Sequence, residues 1–448
     1  MTRFFGTDGI RGVANVDLTA ELAFKLGQAG ASVLTKGRGG VFVIGKDTRI
    51  SGDMFEAALA AGICSVGSQA LKVSVLPTPA IAYLTKALRA DGGVVISASH
   101  NPAEYNGIKF FGPDGFKLAD SIEDEIEAAM VGYMDLPTGP SIGTVKSSKY
   151  ATDLYIDHVV NTIAGNLEGL KVAIDCGHGA AYQVSPAVFR QLGAEVMAVN
   201  TSPNGTNINL GCGSTHTEYI QEIVTSHDVD VGFAHDGDAD RVIAVDEAGE
   251  TVDGDFMLAI CAVHLKKQGR LPKDSLVTTV MANLGFDLAM KKHGIGIAKT
   301  KVGDRYVLEE MLKKDVAVGG EQSGHIIFLD YNTTGDGIIT ALQLASIMMQ
   351  TGSKLSELRR VMEKMPQVLV NVKAKGINGW QEVPSIKESI REAEEELGSR
   401  GRILVRQSGT EPLIRVMVES DSFDSANFIA HRVAGVIGKC FVEAGGNK

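Results

Sequence analysis

The feature that most constrains the fold is a local plan that occurs three times: an apolar strand, a polar or glycine-containing loop, an amphipathic helix and a second strand. The copies begin at residues 41–44, 172–174 and 276–280. Such a run predicts a βαβ unit, in which the two strands lie parallel in one sheet. Units that recur every 100–130 residues or so predict three α/β domains of similar build, with largely parallel or mixed sheets.

The end of the chain follows a different plan. Residues 380–397 have the pattern of a charged helix, residues 401–406 and 413–419 that of two strands around a loop, and residues 424–442 that of an amphipathic helix. This pattern predicts a fourth, smaller α+β domain. We place the domains at 1–150, 151–250, 251–365 and 366–448, with each boundary good to about 10 residues.

Composition excludes several classes of protein. The 448 residues carry 43 Lys and Arg against 54 Asp and Glu, which argues against a protein that coats nucleic acid. The five cysteines are scattered, so neither a disulfide framework nor a structural zinc site is expected. Residues 1–8 have no apolar core long enough for a signal peptide, so we expect none, and no uncharged apolar run approaches the roughly 18 residues of a membrane span. We predict a cytoplasmic protein with no nucleic-acid or membrane partner.

A polar loop follows a short apolar strand at residues 94–96. It contains Ser99 and His100 and ends in an Asn-Pro turn. Ligands of α/β folds usually bind where strands end, although an ordinary polar turn is the alternative. The Gly-x-Ser-x-Gly pattern of acyl-transfer hydrolases is absent. Downstream, Lys109 can serve as a general acid or base if its surroundings tune its pKa.

Three aspartates at alternate positions follow the next predicted strand: Asp236, Asp238 and Asp240. They repel one another unless a cation lies between them, and hard oxygen ligands beside phosphate suit Mg²⁺. The three aspartates and Glu247 also match positions 1, 3, 5 and 12 of an EF-hand loop, but Arg241 occupies position 6, where that loop needs glycine. A divalent-metal site is favoured over an EF-hand or a solvated acidic turn. Arg241 can also hold a phosphate oxygen.

Two loops in the C-terminal half carry further polar groups. Glu321 and Ser323 can bind two sugar hydroxyls, although a glycine-rich turn is the simpler explanation of that loop taken alone. In residues 406–412, Ser, Gly and Thr lie between predicted strands and can form a nest of N–H groups for an anion. Arg406 and Arg415 can add charge-assisted hydrogen bonds, and a plain β-turn is the alternative.

A set of cations lies on the motif segments: Arg11, Lys46, Arg49, Lys109, Arg241, Lys301, Arg305, Arg406 and Arg415. Any one of them is explained as a solvated surface charge. Their gathering on the loops of an acidic protein predicts an anionic substrate that is attracted by local charge and not by the overall field.

Several motifs in one order make the chain resemble the α-D-phosphohexomutases over essentially its whole length. They are residues 5–12, 96–102, 236–241, 301–305, 320–325 and 406–412. The resemblance implies three similar α/β domains with mixed sheets and a smaller C-terminal α+β domain around a central cleft. Gln322 resembles the amino-sugar branch of the family, whereas Gln407 departs from the residue frequently found in that loop.

The resemblance also implies roles for individual residues. Ser99 would be a phosphoserine that carries the phosphoryl group and completes the Mg²⁺ shell of Asp236, Asp238 and Asp240. Glu321 and Ser323 would contact sugar hydroxyls. The phosphate that is not transferred would bind to Arg406, Ser408, Gly409 and Thr410. The residues around the transferring group would be Arg11, His100, Lys109, Lys301 and His325. Lys109 is the candidate general acid or base, with His325 and Arg11 as helpers.

The implied reaction interconverts glucosamine 6-phosphate and glucosamine 1-phosphate, upstream of UDP-N-acetylglucosamine and cell-wall synthesis. It would use one Mg²⁺ per chain, with glucosamine 1,6-bisphosphate as intermediate and activator. The partner would be a small sugar phosphate, and the resemblance suggests a homodimer. A mutase of glucose or mannose phosphate is the first alternative. A metal-dependent phosphatase and a non-catalytic Ca²⁺-binding module are the others.

Overall fold

The computed structural model describes residues 4–6, 8–373, 379–407 and 413–443. The chain divides into two compact units. The first consists of residues 1–281 and 293–361, and the second of residues 282–292 and 362–448. In the described part of the chain, no helix is both long and apolar enough to cross a membrane.

The first unit begins with a mixed six-stranded sheet. Its strands are β1 (Ile10–Val13), β2 (Val41–Lys46), β3 (Gln69–Val75), β4 (Gly92–Ile96), β5 (Tyr105–Phe111) and β6 (Val145–Ser147). Its helices are α1 (Ala20–Thr35), α2 (Gly52–Ser65), α3 (Thr78–Ala87) and α4 (Asp120–Val131). The order is β1-β5-β4-β2-β3-β6, with β2 parallel to β3 and β4, and β5 antiparallel to β4. The βαβ unit predicted from residue 41 is confirmed.

A second, five-stranded sheet follows. Its strands are β7 (Lys171–Asp175), β8 (Glu195–Val199), β9 (Val231–His235), β10 (Val242–Asp246) and β11 (Thr251–Val252). Its helices are α5 (Ala151–Val160), α6 (Ala181–Gln191) and α7 (Glu218–Ser226). The order is β11-β10-β9-β7-β8. The second βαβ unit is confirmed because β7 and β8 are parallel. The antiparallel return from β9 to β10 carries the aspartates.

The third sheet has four strands, β12 (Ser275–Thr279), β13 (Gly296–Thr300), β14 (Val318–Gly320) and β15 (Ile326–Phe328), in the order β13-β12-β14-β15. The helices are α8 (Gly254–Lys267), α9 (Leu284–Lys292), α10 (Asp304–Lys314), α11 (Gly337–Thr351) and α12 (Leu355–Leu358). The parallel pair β12 and β13 with α9 confirms the third βαβ unit. However, α9 groups with the second unit.

The second unit is a three-stranded antiparallel sheet with two main helices. Its elements are β16 (Gln367–Lys373), α13 (Pro384–Leu397), β17 (Gly401–Gln407), β18 (Leu413–Ser420) and α14 (Phe423–Glu443), with strand order β16-β18-β17. Buried Ile386, Val416 and Ile429 join helices and sheet in one core. This confirms the predicted α+β domain. The helix predicted from residue 380 begins only at Pro384, because proline suits a helix start and lacks the N–H of a helix interior.

The attachment of α9 to this unit has a polar cause. Glu419 of β18 is fully buried and accepts hydrogen bonds from the Leu284 N–H at 2.8 Å and from Arg402 Nε at 2.6 Å. A buried carboxylate needs such partners, and the free N–H groups at a helix start supply one of them. The third βαβ unit is therefore continuous in sequence but divided between the two units.

Candidate active site

Ser99 lies in the loop that follows β4. Its φ is 52°, in the left-handed region that costs a residue other than glycine roughly 1–2 kcal/mol. The residue is buried, and its hydroxyl donates to Oδ2 of Asp236 at 2.7 Å. Backbone strain of this kind persists only where the surrounding structure imposes it. The loop is thus built to present one hydroxyl to the aspartate cluster.

Arg49 holds the serine loop in this conformation. Its guanidinium donates to the main-chain oxygens of Ser99, Asn101, Pro102 and Tyr105. Asp47 accepts from Arg49 Nε at 2.9 Å and from the Ser97 hydroxyl at 2.6 Å. These hydrogen bonds all stay within the protein, so Arg49 has a structural role in holding the serine loop.

The three aspartates predicted as metal ligands are gathered between β9 and β10. Each offers an oxygen within 4.8 Å of the others, and all three are buried. Strands flank this loop, so it is not an EF-hand, and Glu247 instead accepts a hydrogen bond from the Ser356 hydroxyl. A Cβ on Gly237 would lie 2.6 Å from the Ser99 carbonyl oxygen. Only glycine there allows the two loops to approach so closely.

The chemistry of this cluster fits a divalent cation. Oδ1 of Asp238 and Oδ1 of Asp240 are buried and have no hydrogen-bond partner in the described part of the chain. Burial, and then the charges of Asp240 and Asp238, raise the pKa of Asp236 well above its ordinary value. A cation would satisfy both oxygens and relieve the repulsion, and carboxylate oxygens are the ligands that Mg²⁺ prefers.

Lys109, buried on β5, faces the same carboxylates. Its Nζ lies 3.0 Å from Oδ2 of Asp238, 3.0 Å from Oδ2 of Asp8 and 3.9 Å from Oδ2 of Asp240. Burial lowers the pKa of Lys109, but the three carboxylates raise it by more, to above the ordinary value. In this arrangement Lys109 is an ammonium that can donate a proton and neutralise charge. A cation on the aspartates would lower that pKa again.

His100 and Arg11 are two further predicted residues of the site. Nδ1 of His100 is 3.4 Å from the Ser99 hydroxyl oxygen and 3.4 Å from Nη1 of Arg241. Burial and the guanidinium groups of Arg241 and Arg11 lower the pKa of His100 to about 4. The ring is therefore neutral at pH 7. Arg11 forms an ion pair with Asp8, the carboxylate that also pairs with Lys109.

His325 adjoins the aspartate cluster from the third sheet. Its Nδ1 lies 3.6 Å from Oδ2 of Asp240, and its Nε2 lies 3.1 Å from the Gly335 nitrogen and 3.7 Å from Oδ2 of Asp304. Burial lowers the pKa of His325, but the charge of Asp240 outweighs burial and raises it above the ordinary value. A Cβ on Gly335 would lie 2.5 Å from this ring, so glycine is needed at that contact.

Glu321 and Ser323 share one turn after β14. The Ser323 hydroxyl lies 3.4 Å from Oε2 of Glu321, and both residues are half-buried. The Val242 N–H donates to the Gly324 carbonyl at 3.2 Å, which places the turn next to the exit of the aspartate loop. Lys301 is exposed after β13, with its Nζ 5.9 Å from the centre of the Tyr306 ring.

Two other motif cations are also internal. Lys46 pairs with the buried Glu56 at 3.0 Å, and Arg305 pairs with the buried Glu123 at 2.8 Å. Like Arg49, Lys46 and Arg305 thus have partners inside the protein, and the gathering of the motif cations around an anionic substrate stays a prediction.

Arg406 and Arg415 belong to the second unit. They stand directly opposite each other on β17 and β18. Opposed residues of an antiparallel pair share one face of the sheet, where like charges repel. Burial and the charge of Arg415 lower the pKa of Arg406. The other predicted residues of this loop, Ser408, Gly409 and Thr410, lie outside the described residues, so the anion nest stays a prediction.

Sequence reasoning missed residues that hold these charges in place. The Thr78 hydroxyl donates to Oδ2 of Asp238 at 2.6 Å. Lys117 pairs with both Asp8 and Asp304. Asp8 and Asp304 lie within motifs that carried the resemblance, which is a usable signal. Thr78 and Lys117 lie in no such motif, and only their tertiary contacts reveal them.

Models of the phosphoglucomutase/phosphomannomutase family match the chain in four segments. The α/β/α domains I, II and III match residues 2–134, 153–249 and 253–365, and the C-terminal domain matches residues 369–436. The prediction of three similar α/β domains and a smaller C-terminal domain is confirmed. The chain belongs to the phosphoglucomutase/phosphomannomutase family, within the α-D-phosphohexomutases.

Individual relatives agree with this membership. Proteins named phosphoglucosamine mutase from Clostridium novyi and Symbiobacterium thermophilum are each 55% identical over 98% of the chain and 99% of their own lengths. A phosphoglucomutase/phosphomannomutase family protein from Burkholderia thailandensis matches with a TM-score of 0.83 at 23% identity, over 99% of this chain and 98% of its own. Aspergillus fumigatus N-acetylphosphoglucosamine mutase, solved with GlcNAc-6P and magnesium, matches with a TM-score of 0.69 at 18% identity, over 98% and 96%. These two structures share the fold.

Proposed function

We propose that the protein interconverts glucosamine 6-phosphate and glucosamine 1-phosphate by way of a phosphorylated Ser99. The observation that carries the proposal is the 2.7 Å hydrogen bond from the Ser99 hydroxyl to Asp236, at the edge of a buried carboxylate cluster. The amino sugar is the substrate class because proteins 55% identical over nearly the whole chain are named for it.

The reaction has two phosphoryl transfers. Phospho-Ser99 gives its phosphoryl group to O1 of glucosamine 6-phosphate, and the serine hydroxyl regains the proton. The product, glucosamine 1,6-bisphosphate, turns over in the site. Ser99 then takes the phosphoryl group from O6, and glucosamine 1-phosphate leaves. The bisphosphate also serves as activator, because it phosphorylates a serine that has lost its phosphate.

Asp236, Asp238 and Asp240 would hold one Mg²⁺ per chain, with an oxygen of phospho-Ser99 as a further ligand. When bound, the ion supplies positive charge to the oxygens of the transferring group. The buried oxygens of Asp238 and Asp240 that have no hydrogen-bond partner in the described part of the chain support this assignment. With the ion removed, the remaining positive groups would face an excess of carboxylate charge, and activity should be lost.

The chain's own residues position the phosphoryl group and compensate its charge, which is most of what phosphoryl transfer requires. The neutral ring of His100 lies beside the Ser99 hydroxyl, and Arg241 lies beside that ring; both would contact phosphoryl oxygens. Lys109 would donate a proton to the departing oxygen and accept it back in the reverse step. Arg11 and His325 would assist through the charges they share with Asp8 and Asp240.

Other residues would bind the rest of the substrate. Glu321 and Ser323 would accept and donate hydrogen bonds to sugar hydroxyls, with Gln322 between them and Lys301 near the phosphate. The remaining phosphate would bind to Arg406, Ser408, Gly409, Thr410 and Arg415. The opposed guanidinium groups of Arg406 and Arg415 support this assignment, because an anion would relieve their repulsion.

A homodimer and a cytoplasmic location complete the proposal. The five cysteines are free, as expected of a reducing compartment. Sedimentation equilibrium of the purified chain would test the dimer: a mass near twice 47.4 kDa supports it and a single 47.4 kDa species refutes it.

The deciding experiment is ³¹P NMR of the purified protein with Mg²⁺, glucosamine 6-phosphate and a trace of the bisphosphate. We expect a 1-phosphate resonance to grow, and Ser99→Ala to abolish it while Mg²⁺ binding persists. Ser147→Ala is the matched control, because Ser147 is exposed on β6 of the same sheet. Turnover retained in Ser99→Ala would remove Ser99 from its role.

The same experiment separates the alternatives. Growth of inorganic phosphate in place of the 1-phosphate would indicate a phosphatase. Faster turnover of glucose or mannose 6-phosphate, measured side by side, would indicate a mutase for those sugars.

A further inference from the structure

Lys117 lies at the closing end of the turn that follows β5. The turn is held by a bridge between Phe111 and Lys117 and by a hydrogen bond from the Gly112 N–H to the Phe116 carbonyl at 2.8 Å. The Lys117 side chain is only 9% exposed. Its Nζ contacts one oxygen of Asp8 and one oxygen of Asp304. One largely buried ammonium thus joins two half-buried carboxylates that are far apart in sequence.

Each of the two carboxylates also contacts a side chain that we propose to act in phosphoryl transfer. Oδ2 of Asp8 lies 3.0 Å from Nζ of Lys109, and the same oxygen pairs with Arg11. Oδ2 of Asp304 lies 3.7 Å from Nε2 of His325. Lys117 is therefore one carboxylate away from Lys109, Arg11 and His325.

The charges make Lys117 hard to replace. Burial lowers the pKa of Lys117, but Asp304 and Asp8 raise it by more, so the side chain stays charged. Removing one partner of a buried ion pair leaves an uncompensated charge, which is strongly destabilising locally. Without Lys117, Asp8 would keep Lys109 and Arg11, whereas Asp304 would keep His325 and the Arg305 N–H. We expect Asp304, and with it His325, to move most.

We propose that Lys117 is a positioning residue for phosphoryl transfer, which fixes Lys109 and Arg11 through Asp8 and His325 through Asp304. This inference rests on the proposed function. Lys117 has no assigned contact with the sugar or with the phosphate that is not transferred. Its loss should therefore lower kcat with little effect on KM.

Arg305 provides a matched control. It is the neighbour of Asp304 at the start of α10, and it also reaches the domain of the first sheet, where it pairs with Asp120 and Glu123. Its side chain is 11% exposed, close to the value for Lys117. Like Lys117, Arg305 connects the domain of the first sheet with the start of α10. Its contacts in the described part of the chain do not include Asp8, Lys109 or His325. A loss caused by a weaker link between these parts would appear in both variants.

The kinetic test compares Lys117→Met, Lys117→Arg and Arg305→Met with the unaltered protein. A misplacement of catalytic groups by about 1 Å can cost about 10²-fold in rate, so we expect a loss of that size in kcat for Lys117→Met. KM should stay within about threefold, because substrate-binding groups are untouched. Lys117→Arg should recover part of the loss, since a guanidinium can bridge two carboxylates. Arg305→Met should lower the Tm and leave kcat nearly unchanged.

A second measurement needs no substrate. Proteins labelled with ¹⁵N at histidine would be compared by NMR, with the His325 resonance assigned by its loss in His325→Gln. We expect the His325 ring signals to shift in Lys117→Met and to stay in place in Arg305→Met. This measurement tests whether Lys117 positions His325 through Asp304, and its result does not depend on the identity of the sugar substrate.

Three results would overturn the inference. They are an unchanged kcat in Lys117→Met, an equal loss of kcat in Arg305→Met, and an unmoved His325 signal in Lys117→Met. A protein that turns over no hexose phosphate, but whose His325 signal moves in Lys117→Met alone, would refute the proposed function and support the positioning contact.

Discussion

The surroundings of Ser99 in the first unit and the Arg406–Arg415 pair in the second both place cations where phosphate is expected, but they hold charge differently. Around Ser99, cations and carboxylates alternate: Lys109 lies between Asp238 and Asp8, and both carboxylates have further partners. On β17 and β18, two guanidinium groups oppose each other, and burial with this repulsion lowers the pKa of Arg406.

The difference matches the two tasks that a mutase requires. Alternating, buried charges are oriented before the substrate arrives, and such preorganisation stabilises charge that develops during transfer. Two like charges are relieved when an anion binds, which favours simple retention of a phosphate. The first arrangement should control kcat, and the second should act mainly on substrate affinity.

The largest expected effect breaks the first arrangement at its centre. Asp238→Asn removes a proposed metal ligand and a partner of Lys109. Since a catalytic metal supplies several kcal/mol, kcat should fall about 10³-fold or more. Calorimetry should show weakened Mg²⁺ binding. Asp228→Asn, an exposed carboxylate paired with Lys171, is the control that should change neither. Full activity in Asp238→Asn would remove the aspartate cluster from the mechanism.

A smaller effect should follow from loosening the serine loop. Arg49→Met removes the hydrogen bonds that hold the strained Ser99 backbone, and the misplaced hydroxyl should cost about 10²-fold in kcat. Lys46→Met is the matched control, because Lys46 is a cation of the same strand region that pairs with Glu56 away from the loop. We expect both variants to lower the Tm and only Arg49→Met to lower kcat. Equal kcat values would mean that the loop keeps its conformation without Arg49.

The smallest effect should come from the second arrangement. Arg406→Ala should raise KM about tenfold, the worth of one charged hydrogen bond, and slow turnover modestly because the loop also grips the intermediate. Stability should stay constant or increase by a fraction of a kcal/mol, since a repulsion is removed. Inorganic phosphate should raise the Tm of the unaltered protein more than that of the variant. Unchanged kinetics would contradict the phosphate-binding assignment.

Much of the fold was predictable because its strands and helices follow from patterns of residues close together in the sequence. Periods of 2 and 3.6 in apolar residues located the βαβ units, and three aspartates at alternate positions after a strand located the cluster between β9 and β10. The roles of Arg49 and Lys46 were not predictable, since a buried ion pair and a substrate-binding cation have the same sequence signature. The position of α9 was not predictable either. The local pattern assigns α9 to the third sheet, whereas its hydrogen bond to Glu419 holds it in the second unit.

By itself, the sequence determined the α/β class, the acidic cluster, the position of Ser99 after a strand and, through motif order, the family. These depend on periodicity and on residues close together along the chain. Only the tertiary structure showed which motif cations have partners inside the protein, such as Arg49 and Lys46, and only it revealed the contact from Lys117 through Asp8 and Asp304. The physical reason is that burial and charge pairing depend on distances between residues far apart in sequence, such as the 3.0 Å between Asp8 and Lys109.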